Sequence, residues 1–357
     1  MERAERRGVT WRAAAWWYLW GMDQAELRAV LAAIPDVTLD EPAAVARAID
    51  AEVAYLASDE ALASLARDTY WPKWRSPWWS MVLLDELGYA ARIPVRAAAA
   101  MVAGLDALRL HTFPIRADEW PAGADRARDA SCHCAVGSID RVLTRCGIDV
   151  PAALPWIAAW YARYQLADGG YNCDEAAYLV TDECPSSMVG TVAPLEAMTA
   201  RAASAVADRA AAMVLGRALV RGSATRHNAE ERVAAASWGA LCFPRFYFYD
   251  ALRGLAAVVA WAAAHGHALP LAAVASAIAA LAARAPDGVL RVERSAVVGK
   301  QGWAPDAAGA WSRQPTTTWS LLDLVSQPGA VSPGLTRQWQ ATRRDLATLL
   351  ARDQLTG

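Results

Sequence analysis

The stretch DGGYNCDEAAYLVTDECPSSMVGTVAPLEAM, Asp168–Met198, carries the pattern that decides the fold. It begins with a Gly-Gly turn, continues as a polar segment with two cysteines and five carboxylates, and ends in an apolar run. Ser186-Ser187 stands directly before that run, in the place where a serine caps the first turn of a helix. We therefore predict a polar loop followed by a buried helix. Three roles are open for this loop: a metal site, an acid–base site, or only a polar connection between two helices.

The same kind of helix start recurs along the chain. Alanine and leucine dominate, apolar residues recur at three- and four-residue spacing, and alternating β-branched runs are scarce, which predicts an all-α fold. Five stretches begin with a small, proline or aromatic cluster and close beside an acid or arginine: SPWWSMVLLDELG from Ser76, CHCAVGSIDRVL from Cys132, SSMVGTVAPLEAM from Ser186, FPRFYFYDALRGL from Phe243 and TTTWSLLDLV from Thr316. Their spacing of roughly 50 to 70 residues suits helical hairpins repeated around a ring, and a linear solenoid is the alternative.

The totals exclude several classes of protein. The 357-residue chain has a net charge of −2 and no basic tract, so its charge gives no case for a nucleic-acid partner. Its six cysteines do not resemble a disulfide framework, which favours a reducing, cytoplasmic location. The N-terminal run MERAERRGVTWRAAAWWYLWGM imitates a signal peptide but has no cleavage site, and we expect it to continue as helix.

One long uncharged segment, Gly254–Ala283, has the length of a membrane span. The interruption HGHALP breaks it in the middle, so we predict a buried helical hairpin and no integral membrane segment. No linker suggests a second domain, and we predict a single domain over residues 1–357.

DGGYNCD and the SSMVGTVAPLEAM that follows it resemble the prenyltransferase/squalene-cyclase repeat proteins, and more closely their small, single-toroid bacterial members. Three other stretches agree: YWPKWRSPWWSMVLLDELG from Tyr70, FPRFYFYDALRGL from Phe243, and DGVLRVER from Asp287 with TTTWSLLDL downstream. The resemblance covers about residues 70–324 and implies an α/α toroid, in which outer helices surround a barrel of inner helices. Known relatives are polyprene cyclases and the catalytic subunits of zinc-dependent protein prenyltransferases.

The chain also departs from these relatives. The Asp-x-Asp-Asp motif with which class II terpene cyclases protonate their substrate does not occur, and no membrane-docking insertion is apparent. Asp182-Glu183-Cys184 has the local form of the Asp-x-Cys zinc ligands of the prenyltransferases, but the later histidine of that site is not obvious. Val189 stands where the single-toroid relatives are expected to carry a histidine.

Several residues are candidate metal ligands. Thiolate and imidazole bind zinc, and Cys132-His133-Cys134, Cys173 and Cys184 fall in one region of the chain. Adjacent side chains on a helix diverge, so only some of these can converge. The resemblance selects Asp182 and Cys184 as the metal pair. The alternative is that the thiols only pack as small polarisable side chains, and the function that we expect requires no cofactor.

The candidate catalytic residues are Asp174, Glu175, Tyr247, Tyr249 and Asp250. When two carboxylates face one cavity, repulsion and burial raise the pKa of one of them, so that a protonated acid lies beside an ionised base. Asp174 is the first choice because it closes DGGYNCD, and a solvated loop charge is the alternative. The two tyrosines need hydroxyl partners if they are buried, which makes them candidate cavity residues.

The candidate substrate-binding residues are aromatic, cationic or polar. An aromatic face stabilises a cation by about 0.5–2 kcal/mol, and an arginine binds an anion in a fork. Helix–helix packing is the alternative role for the aromatic residues. The set comprises Tyr70, Trp71, Trp74, Arg75, Trp78, Trp79, His133, Asn172, Ser187 and Arg245.

A toroid also gathers the N-termini of its parallel inner helices at one end. The starts at Ser76, Cys132, Ser186 and Thr316 would point free N–H groups and positive dipole ends at a shared mouth, which favours a phosphate, sulfate or carboxylate there. We therefore predict a small-molecule cyclase of natural-product biosynthesis that closes a ring with loss of an anionic group, on a free or carrier-bound substrate. One alternative is a zinc-dependent prenyl or alkyl transferase with a partner protein. Another is a non-catalytic toroid that binds a carrier protein or peptide.

Overall fold

The structure of the protein is a computed structural model that describes residues 22–126, 129, 131–295, 297, 301–306, 309–315 and 317–356. Within these residues the chain is mostly helical, which is compatible with the predicted all-α class. The α-helices are α1 Gln24–Ala33, α2 Ala43–Leu56, α3 Asp59–Arg67, α4 Pro77–Glu86, α5 Val95–Asp106, α6 His133–Arg145, α7 Val150–Ala153, α8 Trp156–Tyr164, α9 Met188–Thr199, α10 Ala205–Gly216, α11 Ala229–Ala235, α12 Ala251–His265, α13 Leu271–Arg284, α14 Ser320–Val325 and α15 Pro333–Ala351.

The remaining regular elements are short. Within the described ranges, 3-10 helices span Ala90–Arg92, Ala117–Glu119 and Glu175–Leu179. The strands β1 Leu269–Pro270 and β4 Leu355–Thr356 pair in parallel, and β2 Gln301–Pro305 pairs antiparallel with β3 Trp311–Pro315. The N-terminal run interpreted as helix lies, up to residue 21, outside the described residues.

Most of the predicted helix starts are N-cap residues in the structure or lie one residue from an N-cap. Ser76 and Cys132 are the N-caps of α4 and α6. Ser187, one residue after the predicted start, caps α9, and its Oγ accepts a backbone N–H at 3.0 Å. Asp250 caps α12 in the same way at 2.9 Å. Thr316 lies outside the described residues, so the start proposed there is not described.

The uncharged segment forms the predicted buried hairpin. α12 ends at Gly266, whose φ of 71° is a left-handed conformation that glycine adopts without a Cβ clash. After a short turn α13 begins and packs back against α12. In the described ranges, no helix combines the length and the apolar character needed to cross a membrane.

Five helices, α4, α6, α9, α12 and α15, form a series in which each packs against the next. They run in the same direction. α9 and α12 are both antiparallel to α10, because Arg217, after α10, donates to the carbonyl oxygen of Ser186 before α9, and Tyr249, before α12, donates to the carbonyl oxygen of Leu219 after α10.

The other neighbouring pairs meet near their C-terminal ends, among them α6 and α9 through Asp140 and Arg201. Arg145 of α6 pairs with Asp85 of α4 at 3.0 Å, and Gln354, after α15, donates to the carbonyl oxygen of Gly266 at 2.8 Å. The start of α15, rather than its end, lies at the end of α4, where Arg337 donates to the carbonyl oxygen of Leu87, so the fifth helix is shifted along the common direction relative to the first.

The fifth helix of this series is not the one that the sequence motifs suggest. The stretch TTTWSLLDLV leads into α14, which is short and packs against α2. The longer α15, which none of the five motifs marks, packs against α12 instead. Trp339 and Leu346 of α15 are completely buried, so this helix supplies the apolar face that α14 is too short to offer.

α6 and α9 approach each other closely at Gly137. A Cβ atom at this position would lie 2.4 Å from the backbone carbon of Ala193 and 2.4 Å from the backbone nitrogen of Pro194. Those atoms belong to the helix backbone and cannot rotate away as a side chain would. Glycine at this position therefore sets the distance between the two helices.

Gly137→Ala is expected to lower the free energy of unfolding by about 1–3 kcal/mol, because the added methyl group pushes α6 away from the backbone of α9. Gly216→Ala is the control, since no described atom lies within 4 Å of its Cβ position at the end of α10. It is expected to stabilise by at most about 1 kcal/mol through helix propensity. Urea denaturation measures both. Equal effects of the two substitutions would contradict the close contact.

Candidate functional site

The five parallel helices enclose a cavity of about 430 Å³, called here the charged cavity. Its charged lining comprises five arginines and four carboxylates: Arg141, Arg145, Arg245, Arg253, Arg337, Asp85, Glu86, Glu196 and Asp345. An unpaired charge in such a place costs several kcal/mol, so the stability of this wall depends on how the charges pair.

Four of these residues form a chain of ion pairs, called here the ion-pair belt: Asp85, Arg141, Glu196 and Arg253. Nε of Arg141 donates to Asp85 at 2.9 Å, and Nη1 of Arg141 pairs with Glu196. Arg253 donates to both oxygens of Glu196, at 2.9 and 2.7 Å. All four side chains are buried or nearly so, with at most 11% exposed. The belt alternates in charge from α4 through α6 and α9 to α12.

The first three members of the belt occupy equivalent positions. Asp85, Arg141 and Glu196 each follow the N-cap of their own helix by nine residues. Because the helices are parallel, an equal number of turns from the cap brings the three side chains to one level. The acid or arginine at the close of each repeat was the signal in the sequence. This pattern alone does not assign the three residues to a site.

The environment separates the pKa values of the cavity carboxylates. Burial raises the pKa of Glu196, but the guanidinium groups of Arg253 and Arg141 outweigh it and hold the pKa at about 2. Burial raises the pKa of Glu86 against the opposing charge of Arg245, and burial also raises the pKa of Asp345. One carboxylate is thus kept ionised while two others take up a proton more readily, a separation that acid–base sites require.

Of the predicted site residues, Arg245 lies at the wall of this cavity, and Asp250 is its ion-pair partner. The guanidinium of Arg245 pairs with Asp250 at 3.4 Å and donates to Gln338, and its backbone N–H donates to Glu86 at 2.7 Å. Asp250 is fully buried and also accepts the N–H of Cys242 at 3.0 Å. Arg245 therefore lines the cavity, whereas Asp250 holds the loop that carries it.

A second group of residues lies beside the N-termini of α4 and α6. We call it the thiol–aromatic cluster: Tyr70, Trp78, Trp79, Cys132, Cys134, Cys173 and Tyr247. Tyr70, Trp78, Trp79, Cys134 and Tyr247 surround a cavity of only about 10 Å³. That is space for about one water molecule. The rings predicted to bind substrate are therefore packed against one another, and in this conformation the space between them is too small for a substrate.

Of three further predicted residues, Trp74 and Trp71 contact this cluster, whereas His133 is its neighbour in the chain and stacks on Tyr171 and Tyr178 instead. Trp74 is fully buried and its ring stacks on Tyr247, with centroids 5.7 Å apart. The ring of Trp71 meets Tyr70 edge-on at 5.1 Å. His133 is fully buried, and in the described part of the chain its Nδ1 has no hydrogen-bond partner. Burial lowers the pKa of His133 to about 4, so its imidazole is neutral at neutral pH.

The sulfur atoms of Cys132, Cys134 and Cys173 all lie within 4.8 Å of one another. Sγ of Cys132 is 3.2 Å from Sγ of Cys134, and the N–H of Cys134 donates to Sγ of Cys173 at 3.4 Å. Hydrogen bonds from the other two thiols hold the pKa of Cys132 well below its usual value, and the same bonds to Cys132 raise the pKa of its two partners. Three thiols at this spacing could bind a metal ion, and zinc is a suitable ion.

The predicted metal pair Asp182 and Cys184 is not part of that group. Asp182 is exposed and forms an ion pair with Arg226, and Cys184 lies beside Asp168. Among the described residues, the three cysteines above are the one set of three or more histidine, cysteine or acidic side chains that could hold a metal. The neighbours of Asp182 and Cys184 thus draw the two side chains into different contacts.

Asp174 and Glu175, the two candidate catalytic acids of the polar loop, line neither of the two cavities. The side chain of Asp174 caps the 3-10 helix Glu175–Leu179, lies 2.8 Å from Nε2 of His227 and is 53% exposed. Glu175 is exposed as well. The DGGYNCD motif therefore directs its last carboxylate to the surface, where it orders the loop.

Other predicted residues also have structural contacts. The amide of Asn172 donates to the carbonyl oxygen of Pro185 at 2.6 Å, which clamps the polar loop. The hydroxyl of Tyr249 donates to the carbonyl oxygen of Leu219 at 2.7 Å. Ser187 caps α9, and Arg75 is exposed. These four residues thus lie outside the lining of both cavities.

Comparison of the chain with protein-family models, with curated proteins and with solved structures gave no match in any of the three. The resemblance to the squalene-cyclase repeat proteins consequently rests on the sequence motifs alone. The geometry of the charged cavity and of the thiol–aromatic cluster is therefore the main basis for assigning a function.

Glu196→Gln is expected to lower the free energy of unfolding at pH 7 by about 3–5 kcal/mol, because Arg141 and Arg253 lose the carboxylate between them. The folded-state pKa of Glu196 is depressed from 4.5 to about 2, so its contribution is present above pH 4.5 and is lost as the pH falls toward 2. The difference between wild type and variant should therefore shrink between pH 6 and pH 3.

Urea denaturation across this pH range measures the effect. Asp50→Asn is the control, since Asp50 forms an exposed pair with Arg92 at 2.7 Å and should contribute less than about 1 kcal/mol. A difference between wild type and Glu196→Gln that is the same at pH 6 and pH 3 would count against an ionised Glu196 in the belt.

Proposed function

We propose that the chain is a small-molecule cyclase built as an α/α toroid, with the charged cavity as its active site. Five parallel helices that pack in chain order, with the fifth returning to the first, support the toroid. The volume of about 430 Å³ falls in the range of ligand pockets, about 300–1,000 Å³, and supports a small molecule. The observation that carries the proposal is the concentration of arginine and carboxylate side chains around one cavity within a largely apolar bundle.

Two arginines of the cavity bind the anionic leaving group. Arg145 and Arg337 are 56% and 42% exposed, in contrast to the buried arginines of the belt. Arg145 uses one nitrogen for Asp85, and Arg337 uses its two terminal nitrogens for Glu41 and for a carbonyl oxygen. A guanidinium has five N–H donors, so donors remain for a sulfate or phosphate group. Arg75, selected from the sequence for this role, lies exposed and outside the cavity lining.

Asp345 takes the proton of the attacking group. An amine or hydroxyl of the substrate forms a bond to the carbon that carries the sulfate or phosphate, and the carbon–oxygen bond to that group breaks. The electron pair leaves with the anion, toward Arg145 and Arg337, and the proton moves to the carboxylate of Asp345. Asp345 replaces Asp174 in this role because it lines the cavity and burial raises its pKa, which strengthens it as a base.

The ion-pair belt preorganises the cavity. Glu196 stays ionised and holds Arg141 and Arg253 in fixed positions, so the field of the cavity is set before the substrate binds. Fixed charges need no reorganisation during the reaction, and a substrate folded against them reacts as if at high effective concentration. A ring closure by displacement needs little other assistance from the protein.

Inorganic pyrophosphate is the probe for the anion site. The wild-type protein is expected to bind it, and Arg337→Gln should weaken the affinity by about tenfold or more, because a hydrogen bond to a charged group contributes about 1.5–3 kcal/mol. Arg92→Gln is a matched control, since Arg92 is also 42% exposed and also pairs with a carboxylate, but lies outside the cavity lining. Isothermal titration calorimetry gives the three dissociation constants. An unchanged affinity in Arg337→Gln would contradict the assignment.

Turnover is tested with a series of alkyl sulfate and phosphate esters that carry a terminal amine. Released sulfate or phosphate is measured by ion chromatography and the cyclic amine by mass spectrometry. Asp345→Asn should lower turnover by about 100-fold or more and leave pyrophosphate binding unchanged, because it removes only the proton acceptor. Pyrophosphate binding without release of anion from any ester would instead favour the non-catalytic binding module.

A further inference from the structure

The thiol–aromatic cluster has a feature that ring closure in the charged cavity does not use. Three free thiols, from Cys132, Cys134 and Cys173, converge beside the start of α6, where Cys134 is buried and the other two are half-buried. They come from two segments that are far apart in the sequence, the CHC stretch and the DGGYNCD motif. Packing of cysteines as small apolar side chains does not require three thiols to lie next to one another.

The fold holds both segments firmly. Cys132 is the N-cap of α6, and Cys134 lies in the first turn of that helix. Tyr171, two residues before Cys173, forms a β-bridge with Ser187, and its hydroxyl donates to the carbonyl oxygen of Tyr161 at 3.0 Å. The three sulfur atoms are therefore positioned by backbone contacts on each side, as preorganised ligands are.

We propose that Cys132, Cys134 and Cys173 form a zinc site with three thiolate ligands. Zinc–sulfur bonds of about 2.3 Å at tetrahedral angles place neighbouring sulfur atoms about 3.8 Å apart. The observed separation of 3.2 Å between Cys132 and Cys134 and the limit of 4.8 Å for the set bracket that value. Changes of at most about 1 Å in the sulfur–sulfur distances therefore give the separation that tetrahedral zinc requires.

The small aromatic cavity lies beside this site and offers space for a fourth ligand. Cys134 lines that cavity together with Tyr70 and Tyr247, and the space of about 10 Å³ suits a single water molecule. Three protein ligands and one exchangeable ligand are the arrangement of reactive rather than purely structural zinc sites. The ligand set is softer than an Asp-x-Cys site, because all three protein ligands are sulfur.

Two positive groups lie near the negative charge of three thiolates. The backbone N–H of Ala135 faces Cys132 at the positive end of α6. The ammonium of Lys73 lies 4.5 Å from the ring centroid of Tyr247, and its charge acts on Cys134. Three thiolates around Zn²⁺ leave a net charge of −1, which these groups offset. The proposal does not depend on the cyclase function, because it concerns a different part of the molecule.

The test uses the full-length, tag-free protein, reduced and freed of metal, with the thiols counted to confirm reduction. Added Zn²⁺ is expected to bind at about one ion per chain, measured by mass spectrometry after gel filtration. Co²⁺ in place of zinc should give a thiolate-to-cobalt charge-transfer band, with the absorbance per bound ion that three thiolate ligands produce. Because the Co²⁺ spectrum comes from the unaltered chain, it does not depend on whether variants fold.

Cys132→Ser and Cys173→Ser should each weaken zinc binding by more than about 100-fold, since loss of only an outer partner of a metal ligand costs 10- to 100-fold. Cys184→Ser and Cys146→Ser are the controls and should bind zinc as the wild type does, because neither thiol belongs to the triad. Reduced wild-type protein that binds neither metal would overturn the proposal. Loss of zinc in Cys184→Ser would overturn it as well and would favour the Asp182–Cys184 pair.

Discussion

The ion pair between Arg141 and Glu196 is the contact on which the arrangement of the helices depends. Arg141 also reaches Asp85, and Glu196 also holds Arg253, so one pair connects α4, α6, α9 and α12. Apolar faces rich in alanine can slide past one another at little cost, whereas a buried charge without its partner costs several kcal/mol. We infer that the belt fixes the register of the four helices, and that apolar packing supplies most of their stability.

The belt also separates two kinds of chemistry along the helix axes. The thiol–aromatic cluster, with its soft sulfur atoms and closely packed rings, lies beyond the belt, toward the helix starts. The charged cavity lies at the level of the belt and is lined by carboxylates and guanidinium groups. The sequence led us to expect an anion at the positive ends of the helices. The structure places the thiol of Cys132 at one of those ends, as the N-cap of α6. A helix N-terminus stabilises a thiolate as it stabilises a phosphate, so the side chain of Cys132 occupies a place where an external anion is expected.

The all-α class, the caps at Ser76 and Cys132 and the α12–α13 hairpin could be predicted because each depends on residues within one or two helical turns. The site could not be predicted in the same way. Arg141 and Glu196 meet across 55 residues of sequence, and only the parallel register of α6 and α9 brings them together. The DGGYNCD motif favours Asp174 and the family resemblance favours the pair Asp182–Cys184, because both depend on the order of residues along the chain. In space, Asp174 faces His227 at the surface, and Cys132 and Cys134 lie beside Cys173 instead.

The position of α15 in the chain has a consequence for biosynthesis. The ribosome releases α4, α6, α9 and α12 before α15, so for a time the growing chain carries an open arc of four helices. The apolar face of α12 that α15 later covers is then exposed to solvent, and the charged cavity lacks a wall. An arc with an uncovered apolar edge is the kind of intermediate that chaperones bind and that associates with its own copies. Assembly of the cavity is therefore a late event, completed only when the C-terminal helix docks.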